Sequence, residues 1–124
     1  MAIIDKIITL DMWESANEIL KLIKNESTSR RIEVQLTSGE KFVNLKNKTV
    51  SVFIKKPDNS TIQRNCTILD PNQGRIEFVV DSQIIAVIGS AQAEFHIVEG
   101  DKLLISPILN ITISASLDTS SAIK

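Results

Sequence analysis

This sequence predicts an all-β fold: one sandwich of antiparallel strands with a single short helical turn near residues 82–88. Three observations carry that expectation. β-Branched residues are abundant, with 20 Ile, 8 Val and 8 Thr making 36 of the 124 residues, and Ile outnumbers Leu two to one. Such side chains are stiff at χ1 and fit a pleated, half-buried surface better than a helix. Apolar and polar residues alternate strictly in five places, and turn signals separate those runs through the middle and end of the chain. The length suits one domain, expected over residues 1–117, followed by a small polar tail at 118–124.

The elements follow in order. Ile3 to Leu10 is strongly apolar without clean alternation. It reads either as a strand covered on both sides, in part by a partner subunit, or as a strand that closes one sheet of its own domain. Met12 to Lys24 is ambiguous. Trp13, Ala16, Leu20 and Ile23 fit a helical stripe, and Asp11 with Glu14 resembles a capping box, yet Ile19, Lys21 and Ile23 also alternate with Leu20 and Leu22. The clear strands present Ile32, Val34 and Leu36, then Val50, Val52 and Ile54, then Ile76, Phe78 and Val80, then Ala93, Phe95 and Ile97, then Leu109, Ile111, Ile113 and Ala115 to the interior. One dry and one wet side per strand is the signature of stacked antiparallel sheets.

The turns agree with the strands. Ser38-Gly39 breaks the chain between two apolar runs. Pro57-Asp58-Asn59-Ser60 suits a type I turn, in which the fixed φ of Pro helps. Asp70-Pro71-Asn72-Gln73-Gly74 is a loop whose Gly can take positive φ, and Gly100-Asp101 suits a type II′ hairpin. Asp81 to Gly89 reads as one or two helical turns, with Asp81 or Ser82 at the start and Gly89 at the end.

Composition narrows the function. Fourteen Lys and Arg against 15 Asp and Glu leave a net charge of −1, and the longest basic runs are Arg30-Arg31 and Lys55-Lys56. No nucleic-acid partner is expected from such a balance. No apolar run approaches the ~18 residues of a membrane span, and Asp5 and Lys6 interrupt the N-terminal apolar stretch where a secretory signal would need it intact. Neither a membrane partner nor export by a signal peptide is expected.

Few residues of the chain offer chemistry. Cys66 and His96 are the single cysteine and histidine, so neither a disulfide framework nor a multi-Cys or paired-His metal site is available. His96 falls on the polar parity of its strand and Cys66 on the inner parity shared with Ile62 and Ile68, which separates the one conceivable thiol pair. Asp58, Asp70 and Asp101 sit in turns, where Asp bonds its own backbone. The dense oxygen spacing of a calcium loop and a Gly-rich phosphate loop are both missing. Five Asn-x-Ser/Thr triplets begin at Asn25, Asn47, Asn59, Asn65 and Asn110, and read as chance matches. No enzyme activity, cofactor or metal is expected. Interfaces remain: Ile3 and Ile4 in the first run, Trp13, which reads as a core plug or a lid over a sandwich end or else as the contact aromatic, and outward-facing Phe53 and Val79 are the candidate contact residues. An aromatic content of 4% leaves direct saccharide recognition as the lesser reading.

One set of residues, in this order, resembles a known family. Ile7-Ile8-Thr9-Leu10-Asp11 is similar to its opening strand. Ser29-Arg30-Arg31-Ile32-Glu33-Val34-Gln35-Leu36, Gly39 and Val43-Asn44-Leu45 follow. Lys55-Lys56-Pro57-Asp58 looks like a Lys-Pro-Asp-Gly hairpin tip, with Asn59 in place of Gly. Then come Asn65-Cys66-Thr67-Ile68-Leu69-Asp70, Gly74-Arg75-Ile76, Gly89 and Ser120-Ser121-Ala122-Ile123. Asn25-Glu26-Ser27 replaces a usual Gly-Asp pair, and Ile108-Leu109 stands where Phe is common. The chain thereby resembles the N-terminal domain of phage baseplate upper proteins. The resemblance implies an immunoglobulin-like sandwich, a strand at Ile19 to Lys24, and Lys56, Pro57, Asp58, Asp70, Gly74 and Gly89 as turn-forming motif residues. It implies an assembly module in the virion of a phage or prophage, docked on the tail hub and carrying a receptor-binding device. It further implies a parent protein that trimerises through a helix following Lys124, assembled in the bacterial cytoplasm.

Overall fold

The computed structural model describes residues 3–14, 18–24 and 30–115. The tail at 118–124, the 25–27 replacement and the 120–123 motif lie outside the described residues. The chain runs β1 (Ile3–Asp11), β2 (Ile19–Ile23), β3 (Arg30–Ser38), β4 (Lys41–Phe42), β5 (Thr49–Lys55), β6 (Thr61–Asn65), β7 (Thr67–Asp70), a single 3-10 turn (Pro71–Gln73), β8 (Arg75–Val80), β9 (Gly89–Glu99), β10 (Lys102–Ile105) and β11 (Leu109–Ser114).

Two mixed sheets stack into a sandwich. One has the order β1-β3-β8-β7, with β4 also on β3; the other has the order β2-β11-β9-β5-β6, with β10 also on β9. Hairpins β3–β4, β5–β6, β7–β8 and β9–β10 stay within a sheet, and the remaining links mostly cross between sheets. That routing explains the one departure from a wholly antiparallel sandwich. β1 pairs β3 in parallel and β11 pairs β2 in parallel. In each parallel pair the two strands are joined by chain that passes through the opposite sheet, as parallel neighbours require a crossover. The ambiguous second segment contains a strand, Ile19–Ile23, with Leu20 and Leu22 buried.

The alternating sets bury their expected faces, Ala115 excepted. Ile32, Val34 and Leu36 on β3, Ile76, Phe78 and Val80 on β8, and Ile8 and Leu10 on β1 face Val50, Val52 and Ile54 on β5, Ala93, Phe95 and Ile97 on β9, and Leu109, Ile111 and Ile113 on β11. Phe78 and Phe95 meet across the sandwich with ring centroids 5.9 Å apart, tilted by 57°, within the preferred range for aromatic pairs. Ala115 is exposed beyond the end of β11 and does not extend the buried stripe.

The 82–88 segment is a run of turns rather than helix. Asp81 takes the capping position anticipated for it: its Oδ1 accepts the N–H groups of Gln83 and Ile84, both at 3.1 Å. Ile84 and Ile85 drop into the core from this segment. Gly89 has φ 138° and begins β9 instead of closing a helix. The only helical element among the described residues is the 3-10 turn, with Asp70 capping its start and Gly74 (φ 62°) its end.

Candidate interaction surfaces

The motif residues form two separate turns, one around Pro57 and Gly89 and the other around Asp70 and Gly74. Pro57 occupies the second position of a turn in which Asn59 N–H donates to the Lys56 carbonyl at 2.9 Å. The Asp58 carboxylate accepts the N–H and the hydroxyl of Ser60, at 3.0 and 2.6 Å. That hydroxyl, chiefly, holds Asp58 below the usual carboxylate pKa. Asn59 takes φ 73°, the left-handed conformation that its type tolerates. Gly89 lies against this tip: a Cβ there would stand 3.0 Å from the Pro57 Cβ. Gly74 is enclosed more tightly, since a Cβ would lie 2.4 Å from the Leu36 carbonyl oxygen. These positions shape backbone and gather no reactive groups.

The thiol and the imidazole lie on opposite faces of one sheet. Cys66 is the single residue between β6 and β7, where the chain leaves one sheet for the other, and its N–H donates to Val50 O at 2.9 Å. It packs on the core, and burial pushes its thiol up to about 12, so at neutral pH it carries no thiolate nucleophile. His96 lies outside, 4.1 Å from Phe53 by ring centroids and 2.8 Å from the Glu94 carboxylate. Among the described residues no group of three His, Cys, Asp or Glu gathers to hold a metal.

The outer face of the β1-β3-β8-β7 sheet carries charge. Glu33 and Glu77 stand directly opposite each other on β3 and β8, an arrangement that is unfavourable alone. Two arginines resolve it diagonally. Arg75 reaches Glu33 at 2.5 Å, and Arg31 holds Glu77 through Nε at 2.9 Å and through its second nitrogen. The Glu33 hydrogen bond raises the Arg75 pKa. Val79 and Ile7 flank this quartet, 43% and 56% exposed. β1 closes its own sheet against β3, with Ile3 opposite Arg30 and Ile4 opposite Arg31.

Apolar exposure gathers in two further places. Trp13, 78% exposed, is pinned at a bend: its indole N–H donates to Ser38 Oγ at 2.8 Å and its backbone N–H to Asp11 Oδ1 at 2.8 Å. Phe42, also exposed, is paired with Thr37 beside it. On the other sheet, Phe53, Lys55, Thr61, Gln92, Glu94 and Ile108 line a shallow groove of about 290 Å³. Next to it, β10 exposes Leu103, Leu104 and Ile105. Sequence alternation misses this strand. Its signal is the loss of alternation, three consecutive apolar residues directly after a tight turn.

These features leave apolar side chains exposed at several places on the sandwich. No protein of curated function matches the sequence. Twelve chains of known structure match the fold; one is the N-terminal domain of phage TP901-1 ORF48, at a TM-score of 0.75 and 17% identity over 92% of this chain and 99% of that one. At that identity the likeness speaks for the fold. The sequence profile of the BppU (baseplate upper protein) N-terminal domain matches residues 4–124. The chain therefore belongs to the baseplate upper protein N-terminal domain family, and is a structural module of the phage tail baseplate.

Proposed function

We propose that this domain is a non-catalytic adaptor that anchors a receptor-binding device to the tail hub. The observation that carries the reading is where apolar surface is left uncovered. Trp13 is the most exposed large apolar side chain among the described residues, yet two hydrogen bonds hold it in place. A pre-positioned Trp is the usual form of an interface anchor, because little side-chain entropy is lost on docking. Val79, Phe53 and the backbone edge of β1 at Ile3 and Ile4 are the further contacts proposed. The intact parent trimerises beyond Lys124 and assembles in the bacterial cytoplasm, and the domain binds neither nucleic acid nor membrane. The motif residues Lys56, Pro57, Asp58, Asp70, Gly74 and Gly89 keep the turns that hold these surfaces in place.

Co-expression with the tail hub protein of the same phage tests the reading. The tagged domain is expected to retain the hub through size-exclusion chromatography, and Trp13→Ala to weaken that retention by tenfold or more, the scale of an interface hot spot at about 2 kcal/mol. A domain that elutes alone sinks the proposal. A second reading has one observation in its favour. The Phe53 groove combines an aromatic ring with the Gln92 amide, the Glu94 carboxylate and the Lys55 ammonium, the kinds of group that hold a saccharide of the host surface. Binding of host cell-wall polysaccharide by the isolated domain, lost in Phe53→Ala, would favour it over the adaptor.

A further inference from the structure

β10 is an open strand. Among the described residues it pairs on one side only, with β9. The Ser106 N–H donates to the Phe95 carbonyl at 2.9 Å. Backbone groups alternate in direction along a strand, so Leu104 and Lys102 also point toward β9, and the N–H and C=O groups of Leu103 and Ile105 point to the open edge. The side chains there are apolar on both faces. Leu103 and Ile105 lie on the outer face beside Val98 and His96, and Leu104 on the inner side, at 56%, 44% and 49% exposure respectively. Soluble proteins normally blunt such edges with charge, Pro or a bulge. Here Lys102 and Pro107 bound the strand at its two ends, and among the described residues nothing pairs with its outer edge between them.

We propose that two copies of this chain pair through β10, antiparallel, about a twofold axis between their Leu104 residues. The outward backbone groups select this register. Leu103 of one copy then meets the partner's Ile105, and Ile105 meets the partner's Leu103, so all four outward-pointing residues form hydrogen-bonded pairs. Centring the pair on Leu103 sets Asp101 against the partner's Ile105. Centring it on Ile105 sets Leu103 against the partner's Pro107, which has no N–H to give. The twofold keeps the outer faces on one side, so Leu packs on Ile there and Leu104 on the partner's Leu104 beneath. Lys102 falls opposite the partner's Ser106, and no like charges meet.

The area sets the strength. Three aliphatic side chains at about half exposure, with Val98 beside them, amount in both copies to on the order of several hundred Å², short of the ~1,200–2,000 Å² of a stable interface. The contact is therefore weak between free domains and gains from tethering, when a parent holds several copies together and raises their effective concentration. It involves neither Trp13 nor the hub, so self-pairing and hub docking are measured apart and either can fail alone.

Cysteine trapping reads the register directly, in a Cys66→Ala background at high protein concentration. Leu104 faces its counterpart at a non-hydrogen-bonded position, where Cα atoms approach to about 4.5 Å, within disulfide reach of ~4.4–6.8 Å. Leu104→Cys is expected to give a covalent dimer of doubled mass on mild oxidation. Leu103→Cys alone and Ile105→Cys alone are expected to stay monomeric, and an equimolar mixture of the two to cross-link. Circular dichroism confirms that each exposed-site variant keeps its sheet content. Failure of Leu104→Cys to cross-link while folded, or equal cross-linking by Leu103→Cys alone, overturns the proposal.

Discussion

The Ser106 hydroxyl takes the place of a backbone carbonyl opposite Phe95. The two residues form a pair in which Ser106 N–H donates to Phe95 O at 2.9 Å, and Phe95 N–H donates to the Ser106 hydroxyl, also at 2.9 Å. Pro107 follows, and the strand is interrupted there between β10 and β11. The buried hydroxyl carries the ladder across that break and itself donates to the Pro107 carbonyl at 2.9 Å. Ser106→Ala leaves the Phe95 N–H buried without an acceptor, and is expected to cost about 1–3 kcal/mol in urea unfolding. Amide exchange at Phe95 should accelerate in the same variant. Unchanged stability and exchange would show that a water or a shifted carbonyl replaces the hydroxyl.

Two glycines with nearly the same φ should respond differently to alanine. Gly39 and Gly74 have φ 64° and 62°. A Cβ at Gly39 meets nothing within 4 Å, so Gly39→Ala is expected to cost only the left-handed backbone, about 1–2 kcal/mol. At Gly74 the Cβ collides with the Leu36 carbonyl, whose residue also donates its N–H to Gly74 O at 2.8 Å. Gly74→Ala is expected to lower the thermal midpoint well beyond Gly39→Ala. Equal shifts would contradict this geometry.

Cys66 provides a test in alkali. Its thiol is raised by burial from 9.0 to about 12, so folding holds it neutral where the unfolded chain ionises. Its contribution is full below pH 9 and is lost as pH climbs toward 12. Stability should therefore fall across that interval, and Cys66→Ala should fall less steeply. Native protein at pH 8 should also resist thiol reagents that label the urea-unfolded chain at once. Rapid native labelling would show the site to be open.

Asp81 provides the acid counterpart. Burial raises its pKa, but the Arg64 hydrogen bond at 2.7 Å, the Ile84 N–H, the Arg64 charge and the Gln83 N–H together outweigh that and bring it below 3.8. A carboxylate lowered by folding stabilises above its unfolded pKa and loses that contribution as pH falls through the folded value. Asp81→Asn is expected to be less stable than the parent at pH 7 and to lose less on acidification below pH 4. Parallel acid curves for the two proteins would contradict it.

Alternation reads the faces of strands and not their neighbours. All five clear inner stripes are legible because each side chain's face follows from parity alone. The parallel partners of β1 and β2 are not, since parity is blind to which strand lies alongside. The 81–89 segment misleads for a physical reason. Asp81 caps an N-terminus in either a helix or a turn, and Ile84 and Ile85 need burial in both. The choice is made by tertiary packing at the end of the sandwich. Phe53 and Val79 are legible as outward residues, whereas Trp13 reads equally as a plug of the core, and its exposure appears only in the structure. Leu103 to Ile105 are not, because a run without a polar face reads as interior until the sheet edge is seen.

The proposed role of this sandwich is docking at the hub. Cryo-electron microscopy of tails from the phage that encodes it tests that most directly. Density for the sandwich is expected against the hub ring, with Trp13 in the contact. A sandwich at the distal tip of the device, touching host-surface polymer and not the hub, would contradict it.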